Sequence, residues 1–204
     1  MKIAREHIQA AIQSRQVWRL GNQVLYDLCH QHPLHAQDDV IIAKVLLIGR
    51  VYAAAIERRR VIVTQGDDFY TKAVAPKIRN SPIDGWLSTL PPRPASDQTA
   101  AARILETHSN VTNLFSNISG LNKRSLASKY LHFHRPDLFF IYDSRAALGV
   151  RRTTPPQRES SPKTHDPEYA PFFRRCQWLA EEIRQRLNIA LTPRELDDVL
   201  IALS

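Results

Sequence analysis

Residues 118–145, ISGLNKRSLASKYLHFHRPDLFFIYDSR, decide the fold that we predict for this chain. The stretch opens with a tight turn at residues 118–122, where Gly120 and Asn122 are the residue types that best tolerate a positive φ angle. A helix over about 123–133 is predicted next, since apolar residues recur there at three- and four-residue spacing. The sequence therefore predicts a turn followed directly by a helix.

Two charged features complete this stretch. Lys123, Arg124 and Ser125 stand at the start of the predicted helix, where backbone N–H groups without intrahelical partners make an anion site. An extended apolar run at 138–142 then ends on Asp143, a carboxylate placed to begin another helix. The sequence therefore predicts an anion-binding turn followed closely by a carboxylate.

This order of features resembles the helix-hairpin-helix signature of the DNA glycosylase superfamily (HhH-GPD), in which the hairpin typically reads Leu-Pro-Gly-Val-Gly and a later aspartate is catalytic. Gly120, Leu121 and Asn122 match the last three residues of that hairpin. Ala127 matches the small residue inside the second helix, and Asp143 matches the aspartate. The chain resembles a divergent member of this superfamily.

The match departs from the family pattern at the hairpin and at one catalytic position. Ser119 replaces the proline, and Asn122 replaces the second glycine. Bifunctional members carry a nucleophilic lysine in the first turn of the second helix, where this chain has Ser125 or Arg124, depending on the alignment. We therefore expect a monofunctional enzyme, although Lys123 is adjacent and leaves lyase activity open.

The resemblance also implies the site residues. Asp143 would be catalytic, with Tyr52 and Tyr142 beside a flipped base. The residues expected to bind DNA are those of the hairpin and one arginine after the aspartate: Gly120, Leu121, Asn122, Lys123, Arg124, Ser125 and Arg145. Each of these residues also has a structural alternative. Asp143 could be an ordinary helix N-cap, and the hairpin could be a simple helix–helix turn. Both tyrosines could belong to the core.

Length and charge fit this interpretation. The 204 residues are enough for a single domain spanning 1–204, with possible lobes at 1–95 and 96–204 and the hairpin motif at about 98–134. The formal charge of +8 and the pI near 9.8 favour a nucleic-acid partner. Clustered but merely solvated charge is the alternative.

Other classes of protein are disfavoured by composition. No apolar run approaches the roughly 18 residues that a membrane span needs, and the charged N-terminus is not typical of a secretory signal, so we expect a cytoplasmic monomer without a membrane partner. Two cysteines cannot ligate a four-cysteine iron–sulfur cluster. Cys29 lies close to three histidines, but no second ligand cluster accompanies it, and we expect no metal and no cofactor.

The remaining hydrophobic periodicity predicts an all-α, two-lobed helical fold. The helix at 38–59 is apolar around most of its circumference and would form one wall of a pocket between the lobes. The proline-rich segment 151–168 is predicted to be a loop. One or two helices are predicted over 3–31, and the other predicted helices lie at about 67–74, 96–115, 170–187 and 192–203, with a turn or short helix at 83–87.

The predicted function is that of a DNA glycosylase. Such an enzyme flips a nucleotide out of the duplex and breaks the bond between the base and C1′ through an oxocarbenium-like state, which an ionised Asp143 would stabilise. A specialised target, such as a hypermodified base in phage DNA, would give the protein a role in defence. The alternatives are a non-catalytic helix-hairpin-helix DNA-binding module and a helical interaction or toxin-like protein.

Overall fold

All regular secondary structure is helical in the residues that the computed structural model describes, which are 3–60, 68–92, 98–156, 162 and 164–204. The all-α prediction is confirmed. The helices are α1 Arg5–Ser14, α2 Arg19–Gln31, α3 Asp38–Val51, α4 Ala75–Arg79, α5 Ile83–Ser88, α6 Gln98–Ser119, α7 Arg124–His134, α8 Ser144–Thr153, α9 Tyr169–Leu187 and α10 Pro193–Ala202. A 3₁₀ turn precedes α2 at Gln16–Trp18, and a π-helical turn precedes α4 at Tyr70–Val74.

Helices α6 and α7 are joined by the short turn that the sequence indicates. Gly120 has a φ angle of 78°, and its backbone N–H donates to the Ser116 carbonyl oxygen at 2.7 Å. Asn122 accepts the backbone N–H of Arg124 at 3.0 Å through its side chain, so it satisfies one donor at the start of α7. Gly120 thus reverses the chain, while Asn122 has no positive φ angle and accepts the first backbone N–H of α7, whose N-cap residue is Lys123.

Gly120→Ala is expected to lower the free energy of unfolding by about 1–2 kcal/mol, because a Cβ atom is strained in the left-handed region. Urea unfolding monitored by circular dichroism measures the change. Gly85→Ala is the matched control, since Gly85 is helical and nothing lies within 4 Å of the position that its Cβ atom would take. Equal stability of the two variants would contradict the assigned turn geometry.

The core is centred on α7 and is continuous across both predicted lobes. Residues 126–133 of this helix are all buried, and α7 contacts α2, α3 and α6. The chain then passes through the core again at Leu138, Phe139 and Ile141, which are also buried. The segment between α7 and α8 is therefore anchored in the core, and Asp143 follows directly after it at the start of α8.

The predicted helix at 38–59 is wrong in its second half, because α3 ends at Val51. The chain turns back there: Ala53 has a φ angle of 51°, and the Ala54 N–H donates to the Gly49 carbonyl oxygen at 2.7 Å. Gly49 allows this close return, since a Cβ atom on it would lie 3.0 Å from the Ala55 Cα atom. The arginines at 58–60 therefore follow a turn and do not end a helix.

Other helix boundaries also differ from prediction. The region 3–31, predicted to form one or two helices, forms two, and the 3₁₀ turn Gln16–Trp18 separates them. Helix α8 extends to Thr153, into the predicted loop 151–168. Residues 93–97, where a helix start was predicted, and 157–161 and 163 of the predicted loop lie outside the described residues.

Candidate active site

Asp143 is the N-cap of α8, as the sequence predicts. Its backbone is extended, and its Oδ1 atom accepts the backbone N–H of Ala146 at 2.9 Å. The side chain is 32% exposed, so one face of the carboxylate is open to solvent. Capping is confirmed, and catalysis by Asp143 stays a prediction.

Lys129 is a partner of Asp143 that sequence reasoning missed. Its side chain is only 2% exposed, and its Nζ atom lies 3.7 Å from Asp143 Oδ2. Nζ donates to Ser125 Oγ at 2.7 Å and to the Tyr142 carbonyl oxygen at 3.1 Å. Burial lowers the pKa of Lys129, and the Asp143 carboxylate opposes that shift. A lysine inside an amphipathic helix usually reaches solvent, and nothing in the local sequence marks this one as buried.

A cavity of about 320 Å³ is lined by Arg145 from the first turn of α8, although neither Asp143 nor Lys129 lines it, and we call it the α10 cavity. It is built from the end of α1 and the start of α2, the turn after α3, the start of α8, and α10. The lining residues are Arg15, Trp18, Asn22, Val51, Tyr52, Ala53, Arg145, Arg194, Asp197, Asp198 and Ile201. The cavity therefore combines aromatic surface with five charged side chains.

Arg194 and Asp197, one turn apart on α10, form the buried end of this cavity. Arg194 Nη1 lies 3.4 Å from Asp197 Oδ2, and Arg194 Nε donates to Tyr26 Oη at 3.2 Å. The guanidinium also lies over the Tyr52 ring, with its central carbon 5.3 Å from the ring centroid. Arg194 Nη2 and Asp197 Oδ1 are buried and have no hydrogen-bond partner. The ion pair therefore leaves one buried donor and one buried acceptor unsatisfied.

The carboxyl groups of the cavity are suited to proton transfer near neutral pH. Burial raises the pKa of Asp197 to about 7, against the opposing effect of Arg194, and the negative charge of Asp143 raises it further. Burial also raises the pKa of Asp198 to about 6, while Arg194 and Arg15 act to lower it. Two carboxyls that titrate near neutrality in one cavity can donate or accept a proton during a reaction.

Asp197→Asn is expected to change how stability depends on pH. Asp197 holds its proton up to about pH 7 in the folded chain, whereas an unfolded aspartate loses it near pH 4. The folded state therefore binds more protons between these values, and the contribution of Asp197 to the free energy of unfolding falls as pH rises through them. An asparagine does not titrate and keeps no such dependence. As the pH rises from about 4.5 to about 8, the free energy of unfolding of the variant minus that of the wild type should therefore increase, on the order of 1 kcal/mol or more.

Urea unfolding of both proteins at about pH 4.5 and about pH 8 measures this difference. Taking the difference removes the contribution of the buried histidines, whose pKa values are lowered in the folded chain. Asp27→Asn, at an exposed aspartate of α2, is the control. A difference between Asp197→Asn and wild type that does not change with pH would contradict the protonated, buried carboxyl.

A second cavity of about 600 Å³ lies along the hairpin, and we call it the hairpin groove. It is lined by the hairpin, the start of α7 and the turn after α3: Ala53, Ala54, Ala55, Arg58, Arg59, Leu121, Asn122, Lys123, Ser125 and Leu126. Ala53 lines both cavities, so the two are adjacent on one face of the protein. The side chains of Arg58 and Arg59 are exposed there.

The two predicted cations of the hairpin are engaged within the protein. Lys123 Nζ donates to the carbonyl oxygens of Arg58 at 2.8 Å and Ala55 at 3.3 Å. Arg124 Nε donates to Asp166 Oδ1, and Arg124 Nη1 lies 3.4 Å from Glu168 Oε2. The exposed cations of the groove are instead Arg58 and Arg59, which belong to a basic cluster of the sequence but are not among the residues predicted to bind DNA.

The remaining predicted residues are divided between cavities. Arg145 lines the α10 cavity, and its guanidinium donates to the Ile201 carbonyl oxygen at 3.1 Å. Tyr52 lines the same cavity and donates to Asn22 Oδ1 through its hydroxyl. Tyr142 lines a different cavity, where its hydroxyl donates to Glu168 Oε2 at 2.7 Å. The structure therefore brings Tyr52 and Arg145 together and leaves Tyr142 apart.

Comparisons with known proteins give no relative: no family model, no curated protein and no solved structure matches this chain. No group of histidine, cysteine, aspartate and glutamate side chains in the described ranges could hold a metal ion. Within the same ranges, no helix has both the length and the apolar character needed to cross a membrane.

Proposed function

We propose that this protein is a DNA glycosylase that removes a flipped base by hydrolysis assisted by Asp143. One observation carries the proposal: the hairpin groove and the α10 cavity meet at Ala53, and contacts through Lys129 lead from the groove to Asp143. Ser125, which lines the groove, accepts from Lys129, and Lys129 pairs with Asp143. Asp143 in turn acts electrostatically on Asp197 in the cavity.

The hairpin groove has exposed cations suited to phosphates, and the α10 cavity has aromatic surface suited to a base. The hairpin backbone with Arg58 and Arg59 would hold the phosphates, which positions the strand without reading its sequence. The base, once flipped, would enter the α10 cavity, where Trp18 and Tyr52 provide aromatic surface. The sugar would then lie between the two, near Asp143.

In the reaction, water adds to C1′ as the bond from C1′ to the base nitrogen breaks. The electron pair of that bond leaves with the base, and the proton lost by the water passes to a carboxylate. The partly exposed Asp143 carboxylate would stabilise the positive charge that develops on the sugar. Asp197, which holds a proton up to about pH 7, could protonate the departing base. Lys129 is a positioning residue that orients Asp143.

Neutralising the groove arginines is expected to weaken DNA binding and its dependence on salt. Each phosphate contact that is lost makes the slope of log affinity against log salt concentration shallower by about 0.9, so Arg58→Gln with Arg59→Gln should reduce it by about two. Fluorescence anisotropy of labelled duplexes across salt concentrations measures the slope. Arg184→Gln with Arg186→Gln, at partly exposed arginines of α9, is the matched control.

Equal slopes for the groove pair and the α9 pair would remove the hairpin groove from the DNA interface. The proposal as a whole is tested by mass spectrometry of free bases released from a panel of DNAs, including heavily modified phage genomes. Release of one kind of base identifies both the chemistry and the substrate. Salt-sensitive DNA binding without release of any base would instead favour a non-catalytic DNA-binding module, and weak binding without salt dependence an interaction protein.

A further inference from the structure

Helices α2 and α3 expose a group of large apolar side chains, which we call the α2–α3 patch. In the described part of the chain, six of the nine large apolar side chains that are exposed belong to it, so exposed apolar surface is concentrated there. Each of the six is between 41% and 81% exposed. They are Val17, Trp18, Leu20 and Val24, from the 3₁₀ turn and α2, and Leu47 and Val51, from α3.

Contacts between the two helices join these side chains into one surface. Helix α2 packs against α3, and the Tyr52 hydroxyl after the end of α3 donates to Asn22 Oδ1 on α2. Trp18 and Val51 both line the α10 cavity, so the parts of the patch from α2 and α3 meet at the border of that cavity. Leu47 lies one helical turn before Val51 and extends the patch along α3.

The size of the patch is that of a contact with another macromolecule. The exposed parts of its six side chains amount to roughly 600 Å², which is the upper limit for the largest apolar patch of a typical monomer. A standard interface takes about 800 Å² from each partner, and the polar rim of an interface supplies part of that area. Two copies of the patch packed together would therefore form an interface at the lower end of the standard size.

Helix α2 is complementary to itself when two copies lie antiparallel. Val17, Leu20 and Val24 follow one another at three- and four-residue spacing, which makes a ridge along the exposed side of the helix. If a twofold axis passes at Gln23, the partner's Val24 is level with Asn22, in the gap between Leu20 and Val24. The ridges of the two copies then interlock along the helix.

The charged residues of α2 indicate a second copy of this chain as the occupant. Arg19 and Asp27 are both exposed, and they lie about 12 Å apart along the helix at 1.5 Å per residue, within about a quarter of a turn of one another around it. Gln23 is midway between them. A twofold axis there places each Arg19 level with the partner's Asp27, so that two ion pairs form at once. The six side chains of the patch itself carry no charge, which leaves a phosphate backbone nothing to bind there.

We infer that the α2–α3 patch is the interface of a symmetric dimer of this chain, in which the two α2 helices lie antiparallel. The inference is independent of the proposed function, and it differs from the monomer expected from the sequence. Each copy has a formal charge of +8, and the repulsion between two such charges opposes association. The interface is also small, so we expect a dissociation constant on the order of 10–100 µM, and unfolding at about 1 µM chain measures the monomer.

Sedimentation velocity of the full chain measures the association. Wild type is expected to change from monomer to dimer between about 1 and about 500 µM. Leu20→Glu with Val24→Glu should stay monomeric throughout, because the dimer would bury four unpaired carboxylates. Leu148→Glu with Trp178→Glu, at exposed apolar residues of α8 and α9, is the matched control and should dimerise as wild type does. Circular dichroism checks that each variant is folded.

Exchanging the two charges of α2 tests the antiparallel arrangement. Arg19→Glu alone or Asp27→Lys alone sets like charges against each other at both ends of the interface, and each should weaken the dimer about 10-fold or more. The two substitutions in one chain restore opposite charges, so the dissociation constant should return to within about threefold of wild type. A variant that merely destabilised the fold would not be rescued in this way.

Three results would overturn the inference: a wild-type chain that stays monomeric up to about 500 µM, a dimer that Leu20→Glu with Val24→Glu leaves unchanged, or charge reversals that do not rescue one another. Two further measurements identify a different occupant. A monomeric wild type whose affinity for a labelled duplex falls in Leu20→Glu with Val24→Glu would assign the patch to DNA. Binding to phosphatidylcholine vesicles that this variant loses would assign the patch to a lipid surface.

Discussion

If the chain is the glycosylase proposed above, Asp143→Asn is expected to lower base release by at least about a thousandfold while fold and DNA affinity are kept, the largest effect on activity that we predict. The positive charge that develops on the sugar needs an ionised carboxylate close by, and an amide supplies no charge. Mass spectrometry of released bases measures the loss, and fluorescence anisotropy with the same duplex measures binding.

Asparagine is the informative replacement because Asp143 also caps α8. The cap accepts the backbone N–H of Ala146, and an asparagine side chain is about as good an N-cap as an aspartate. Asp143→Ala removes both roles and should in addition cost about 1 kcal/mol of stability. If Asp143→Asn releases base at the rate of wild type, the carboxylate serves only as a cap, and the proposed mechanism fails.

Gly149→Ala is expected to lower the free energy of unfolding by about 3 kcal/mol or more. A Cβ atom on Gly149 would lie 2.2 Å from the carbonyl oxygen of Leu200 and 2.9 Å from its carbonyl carbon. Those are backbone atoms of α10, so no side-chain rotation relieves the overlap, and α8 and α10 must separate. Urea unfolding measures the loss of stability.

Gly21→Ala is the matched control for this substitution. Gly21 is helical, as Gly149 is, but nothing lies within 4 Å of the position that its Cβ would take. Alanine there should increase stability by about 0.5–1 kcal/mol, because it restricts the unfolded chain and favours the helix. A loss at Gly149 no larger than about 0.5 kcal/mol would show that α8 and α10 are not packed as closely as the structure has them.

The local features of the fold could be predicted from the sequence, since each depends on residues close together in the chain. Gly120 predicts the turn, and the hydrophobic periodicity after it predicts α7. Asp143, at the end of an apolar run, predicts the N-cap of α8. The end of α3 was predicted wrongly because the residue at the turn, Ala53, is an alanine, and alanine does not indicate a positive φ angle. That angle depends on the packing of the returning chain against Gly49.

The candidate site could be predicted only in part. Arg194 and Asp197 have a three-residue spacing that is common to surface ion pairs on helices, and their sequence context does not distinguish them from such pairs. They are buried because α10 packs against α1 and α8, and because Tyr26 and Tyr52 approach from far earlier in the chain. Lys129 was missed for the same reason, since its burial beside Asp143 follows from tertiary structure.

The construction of the α10 cavity from α1 and α10 has a consequence for how the protein matures. Arg15 follows α1, and Asp198 lies on α10, so the cavity joins segments separated by most of the described chain. Contacts of such long sequence separation are slow to form during folding. During synthesis, the hairpin and Asp143 leave the ribosome well before α10 does. The α10 cavity is therefore complete only once α10 has packed against α1 and α8, so its assembly belongs to the late steps of folding.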